Sequence, residues 1–183
     1  MLTDYLHTVE QAAERVGQLT GDIAELVESW SLLPLVKSLQ ALRGVQLVTA
    51  VIITAELGDL SRFESAPKLM AYLGLVPSEN SSGESKRRGH ITRTGNSRVR
   101  RVLVEAAWAY RFSASMSTAI RERNDGVARP IRDIAWKAQE RLHRRYARRG
   151  GRGMCKQKTV TAIARELAGF VWAIGQAQQK LAS

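Results

Sequence analysis

The residues best suited to chemistry are Ser81-Ser82-Gly83, followed closely by Lys86-Arg87-Arg88 and His90. A serine hydroxyl attacks a phosphodiester when a base removes its proton and cations stabilise the charge of the phosphorane-like transition state. The arginines meet the second requirement. Nothing local clearly supplies the first: His90 could act as a base, but a lone histidine in a basic loop is more often a phosphate contact or a bystander. Ser, Asn and Gly are also ordinary turn formers, so residue physics alone reads the serines as a turn.

Other chemistries lack their residues. There is no G-x-x-x-x-G-K-[ST] phosphate loop, dinucleotide fingerprint, H-E-x-x-H, G-x-S-x-G elbow or pair of cysteine clusters. Glu56, Asp59, Glu79 and Glu84 share no helical face on which to hold two magnesium ions, so a self-sufficient metal nuclease is disfavoured and no cofactor is expected in this chain. Cys155 is the only cysteine, which excludes an intramolecular disulfide and a thiolate metal cluster and fits a reducing cytosol. The N-terminus has neither a basic nor an apolar signal region, and the longest apolar run, residues 48–55, is too short for a bilayer. These features predict a cytoplasmic protein with no membrane partner.

Charge gives the serine segment its setting. The net +11 is uneven: residues 1–30 hold six acids against Arg15 alone, whereas from Lys86 onward 23 Lys or Arg stand against six acids. A concentrated basic field attracts polyanions, nucleic acid first among them. The excess is mostly arginine, whose planar fork suits phosphate oxygens.

The elements that must position this face read as helices. Tyr5, Val9, Ala12, Val16, Leu19, Ile23, Leu26 and Trp30 recur at alternating spacings of four and three, a heptad seam weakened at Gly17 and Gly21. Residues 1–33 are thus either a coiled-coil-like arm seeking a partner or an amphipathic helix packed on its own domain. Pro34 is expected to break that helix. A short helix over residues 35–42, the break Arg43-Gly44-Val45, and an apolar helix over 47–57, expected to be buried and closed by Gly58, have the layout of a helix-hairpin-helix element, in which Gly44 would face a phosphate. Without the second glycine usual where Gln46 stands, a plain helical turn with no ligand fits the break better. A further helix over 64–73 stops at Gly74. Residues 75–76 and 90–92 are β-prone and flank the polar turn. Asn96 is placed to cap a helix running to about residue 112, with Arg98 and Arg101 together on one side. Amphipathic helices over 130–149 and 158–177 complete the chain. The expected fold is mainly α, with at most a small β-hairpin.

The segments from Gly44 to Trp108, IAWKAQERLHRRY and TVTAIARELAGFVWAI resemble the C-terminal domain of the DEDD-type insertion-sequence transposases, which are bridge-RNA-guided recombinases. The string L-G-L-V-P, S-S-G, I-T, G-N and R-R-x-L-V-x-A-A carries the resemblance. It implies a serine-bearing domain over residues 35–178. In such proteins a RuvC-like domain supplies an acidic metal-binding tetrad, a coiled coil mediates assembly, and the C-terminal domain supplies a serine that becomes joined to a DNA end. Transferred to this sequence, Ser82 matches the nucleophile, with Ser81 as its neighbour. Lys86, Arg87, Arg88, Arg93, Arg98 and Arg101 become nucleic-acid contacts on charge and position. The implied partners are DNA, a guide RNA, and a further copy or partner chain through the N-terminal helix. The acidic tetrad has no counterpart here, so magnesium is expected on a separate RuvC-like domain, and the chain alone is expected not to cleave DNA. The alternative is a noncatalytic nucleic-acid-binding or assembly module.

Overall fold

The computed structural model describes residues 1–82 and 85–182, and for residues 79–82 and 85–88 it describes the backbone alone. The described residues form eight α-helices and one two-stranded hairpin, the mainly α architecture that the sequence predicts.

The chain divides into two units, Met1–Leu33 and Pro34–Ser183. The first is essentially one helix, α1 (Leu2–Glu28), which runs unbroken through Gly17 and Gly21. Five large apolar members of its seam, Tyr5, Val9, Val16, Leu19 and Leu26, are exposed. The helix ends at Ser29, before Pro34 is reached. Pro34 instead stands in the first turn of α2 (Leu33–Leu39), where its missing N–H forfeits no helical bond.

The second unit continues with α3 (Leu47–Leu57), α4 (Ala66–Tyr72), β1 (Pro77–Ser82), β2 (Ser85–Ile91), α5 (Ser97–Ala107), α6 (Thr118–Arg123), α7 (Arg129–Gly150) and α8 (Lys156–Ala182). Helix α8 is its axis: α4, α5, α7 and a short 3-10 turn at Leu60–Arg62 all pack on it. The spacing of Val160, Ile163, Ala164, Leu167, Val171 and Ile174 forms the stripe expected of a core-facing helix, and all six are buried. The Trp172 indole N–H donates to Phe63 O at 2.7 Å and fixes the turn region against the helix.

Local outcomes differ from expectation in three places. Helix α3 is apolar nearly all round, yet it buries only Ala50, Ile53, Thr54 and Leu57, and Val48 is exposed. Its packing on α5 consumes one side only. Helix α5 ends at Ala107 and tightens into a 3-10 turn over Trp108–Arg111, which buries Tyr110 completely. Helix α6 has no counterpart in the hydrophobic pattern because Ile120 is its single buried residue; the Ser117 side chain, accepting from Ile120 N, starts it.

The hairpin also extends further than the β-prone residues suggest. Its antiparallel register pairs Pro77 with Ile91, Glu79 with Arg88, Asn80 with Arg87, Ser81 with Lys86, and Ser82 with Ser85. The serines and the basic run are therefore strand backbone, not turn. Main-chain pairing satisfies N–H and C=O groups whatever the side chains, so a polar segment can continue a ladder begun at its foot.

Candidate nucleic-acid interface

The hairpin stands on a backbone joint. Gly74 and Gly95 both have positive φ, at +62° and +71°, and a Cβ on either would strike main chain: Thr94 O at Gly74, Tyr72 O at Gly95. Only glycine permits both the conformation and the approach. Thr92 N–H donates to Val76 O and Arg93 N–H to Gly74 O, at 2.9 and 3.1 Å, which carries the ladder down to the joint. Arg100 then clamps it from α5, its guanidinium donating to Leu73 O and Thr94 O at 2.9 Å each.

The start of α5 is anchored separately. Asn96 caps it as expected, Oδ1 accepting from Val99 N at 2.9 Å. The same side chain donates from Nδ2 to Glu56 Oε2 at 2.6 Å, and Arg98 donates to Glu56 Oε1 at 3.0 Å. These two donors, Asn96 first, hold the Glu56 carboxyl below its usual range. Arg98 thus meets a carboxylate on α3 although its side chain remains 78% exposed, and Arg101 on the same helix is exposed as well.

The Arg43-Gly44-Val45 break is bound into the interior of the fold. Gly44, at φ +79°, lies against the main chain of Ala106 on α5 with no room for a Cβ. Arg43 donates to Phe112 O, Ser113 O and Ser115 Oγ, and Arg123 donates to Val45 O at 2.8 Å. Packing therefore accounts for this glycine without a phosphate.

A basic cleft of about 950 Å³ opens where the hairpin foot meets the corner between α7 and α8. Leu75, Pro77, Gly89, His90 and Ile91 form one wall. Arg93, Arg145, Arg149, Lys158 and Arg165 bring cations to it, and its lining contains no Asp or Glu among the described residues. Arg93 reaches it from a left-handed backbone, φ +58°, the one non-glycine residue so disposed among those described. Arg145 is ion-paired with Glu166 Oε2 at 2.9 Å, while Glu166 Oε1 accepts from Arg141 Nε at 2.5 Å, and the two contacts tie α7 to α8. Cys155, exposed at the start of α8, also lines the cleft. The backbone amides of Lys158 and then Gln157 hold its thiol below the usual value.

Of the residues singled out from sequence, the structure thus brings Arg93 and His90 into this cleft. Arg98 and Gly44 are placed in packing and pairing roles. The side chains of Ser81, Ser82, Lys86, Arg87 and Arg88 lie outside the described residues, although their backbones face each other across the ladder. Sequence reasoning passed over Arg145, Arg149, Lys158 and Arg165. The RRYARRGGRG run was the available signal, but nothing local joins it to a hairpin more than fifty residues earlier.

Residues 36–121 match the Transposase IS116/IS110/IS902 family. This part of the chain is similar to that family's domain. Among similar proteins is a putative transposase, y4qE, of Sinorhizobium fredii, 50% identical over 161 residues that make up 88% of this chain and 41% of the relative. A probable family 20 transposase of Pseudomonas aeruginosa is 30% identical over 67% of this chain and 34% of its own length. The transposase for insertion sequence element IS1111A of Coxiella burnetii is 36% identical over 38% of this chain and 19% of its own. The chain thus spans less than half the length of the curated relatives it matches. The matched segment holds the hairpin, the glycine joint and Arg93, whereas Arg145, Arg149, Lys158 and Arg165 lie beyond its end. Among the described residues no helix is long and apolar enough to cross a membrane.

Proposed function

We propose that this chain is the DNA-binding, serine-bearing part of an insertion-sequence transposase and that Ser82 is its nucleophile. The observation that carries the reading is the hairpin inside the matched segment, where the Ser81-Ser82 backbone pairs with the strand bearing Lys86, Arg87 and Arg88. In the proposed step Ser82 Oγ gives up its proton and bonds to phosphorus, the bond from phosphorus to one deoxyribose oxygen breaks, and that oxygen takes up a proton. Attack by a hydroxyl of a second DNA end on the same phosphorus releases the serine and joins the strands. The cations lower the barrier by neutralising charge on the phosphoryl oxygens.

The proton acceptor is assigned to a partner. His90 stands at the foot of the hairpin, and Ser82 lies five strand residues past Pro77, roughly 17 Å along at about 3.4 Å per residue. Among the described residues no group of three or more His, Cys, Asp or Glu could hold a metal ion. We therefore assign magnesium to a RuvC-like domain with the acidic tetrad, as the resemblance implies, and route no step of this chain through it. A guide RNA and pairing through the exposed seam of α1 belong to the same proposal.

The basic cleft favours a second reading, nucleic-acid binding without chemistry, because its cations act without a serine. Covalent adducts separate the two. In an assembly of this chain, a RuvC-like domain and cognate element DNA, the wild type should yield protein–DNA adducts that survive denaturation. Ser82→Ala should lose them while retaining DNA binding, and Ser81→Ala should keep them. Adducts that persist in Ser82→Ala remove that residue from the role, and a wild type that forms none favours the binding module.

A further inference from the structure

We propose that the cleft between the hairpin foot and the α7–α8 corner is a groove for the sugar–phosphate backbone of a single nucleic-acid strand. The inference deepens the functional reading above and rests on it only in leading that strand toward the hairpin.

The charge is the first argument. Arg93, Arg149, Lys158 and Arg165 line one concavity, and among the described residues none of their side chains has a hydrogen-bond or ion-pair partner. Nε of Arg149 is buried from solvent and still unpartnered. A buried N–H without an acceptor costs on the order of 1–3 kcal/mol, and a phosphate oxygen would relieve it. Elsewhere in the same unit Arg43, Arg98, Arg100, Arg123 and Arg141 find acceptors within the protein, whereas Arg101, Arg121, Arg132 and Arg144 have none among the described residues but do not share one concavity with the cleft cations. Like charges gathered in a concave, partly apolar site focus an electrostatic field that an anion would occupy.

The second argument is backbone geometry. Arg93 adopts a left-handed conformation, which costs an L-residue roughly 1–2 kcal/mol, and it does so while its N–H is fixed to Gly74 O. The strain is held by the glycine joint and places one cation on the hairpin side, opposite those of α7 and α8. The 27-residue α8 also starts at this wall. Its first-turn amides already favour a negative charge there, as the lowered thiol of Cys155 shows.

Shape decides between strand and duplex. A concavity of about 950 Å³ takes in a stretch of one strand's backbone and not the body of a duplex. Pro77 and Ile91, half-buried on the hairpin side, give an apolar surface for sugars or bases.

Cys155 provides the test, because it is the only cysteine, it is exposed, and it lies in the wall. The full chain is incubated with single-stranded DNA and with RNA of the same sequence, each carrying a backbone-tethered thiol activated as a mixed disulfide. Crosslinking to Cys155 should be faster than to a small activated thiol, and unmodified strand should compete it away. Binding of unmodified strand is followed by fluorescence anisotropy against salt. Arg149→Gln/Lys158→Gln should slow crosslinking at least tenfold and reduce the slope of log affinity against log salt by about 1.4, from two lost contacts at about 0.7 each on a single strand. A thermal melt of the same variant shows that it is folded. Faster reaction of either DNA or RNA supports the groove and names its source. Crosslinking that unmodified strand cannot compete away, or a salt slope unchanged in the folded variant, overturns the proposal. The readout needs no serine chemistry, so loss of adducts with an intact crosslink overturns the nucleophile alone, and the reverse overturns the groove alone.

Discussion

The joint under the hairpin and the cleft beside it are built largely from the same residue type and use it in opposite ways. At the joint and around it, Arg100, Arg98, Arg43 and Arg123 direct their guanidinium groups to carbonyls or carboxylates of the protein. In the cleft, Arg93, Arg149, Lys158 and Arg165 have no such acceptors among the described residues. A net charge of +11 makes no distinction between these populations. What separates them is whether the fold delivers an oxygen acceptor to the guanidinium, so substitutions at the joint should be read out in stability and those in the cleft in binding.

The sharpest way to break the comparison is Gly95→Ala. Left-handed strain of roughly 1–2 kcal/mol adds to an overpacking cost of about 1–3 kcal/mol, because the new Cβ meets the rigid backbone at Tyr72 O. Urea unfolding should show a loss of roughly 2–5 kcal/mol; a loss under 1 would mean that the joint yields easily and does not fix the hairpin. Arg100→Ala comes next, at roughly 2–3 kcal/mol, since two carbonyls lose a charged donor. Arg100→Lys should recover part of this, because both bonds leave the single nitrogen Nη1 and an ammonium is likewise one nitrogen with several donors.

The Glu56 anchor gives a smaller, pH-dependent effect. Its carboxyl is lowered in the folded state by Asn96 and Arg98, so the stability it contributes is present above the unfolded value of about 4.3 and lost as pH falls through the lower folded value. The stability advantage of wild type over Glu56→Gln should therefore be full at pH 6 and shrink below pH 4; an advantage independent of pH would locate the effect in packing. The smallest expected change is for Arg165→Gln in the cleft, where unfolding stability should stay within about 0.5 kcal/mol. A larger loss would place that arginine with the structural group and erase the distinction.

These contrasts also mark how far the sequence could be read. The helical fold was legible because α7 and α8 repeat their apolar residues at helical spacing, and the Asn96 cap because an Asx residue before such a stripe has one common use. The full extent of the hairpin was not legible, since β1 and β2 are held by main-chain pairing that leaves no hydrophobic alternation. Arg98 and Arg100 sit two residues apart, and their spacing alone does not show that one meets Glu56 and the other two carbonyls.

By itself the sequence determined the mainly helical class, the one-sided distribution of charge and the serine segment within a recognisable string, because each is a matter of local residue type and period. Only the tertiary structure decided which cations are already committed to the protein and which share an open cleft. That depends on acceptors brought together from distant parts of the chain, Glu56 to Arg98 and Gly74 to Arg93, and on the turn at the end of α7 that returns Arg149 and Lys158 to the foot of the hairpin.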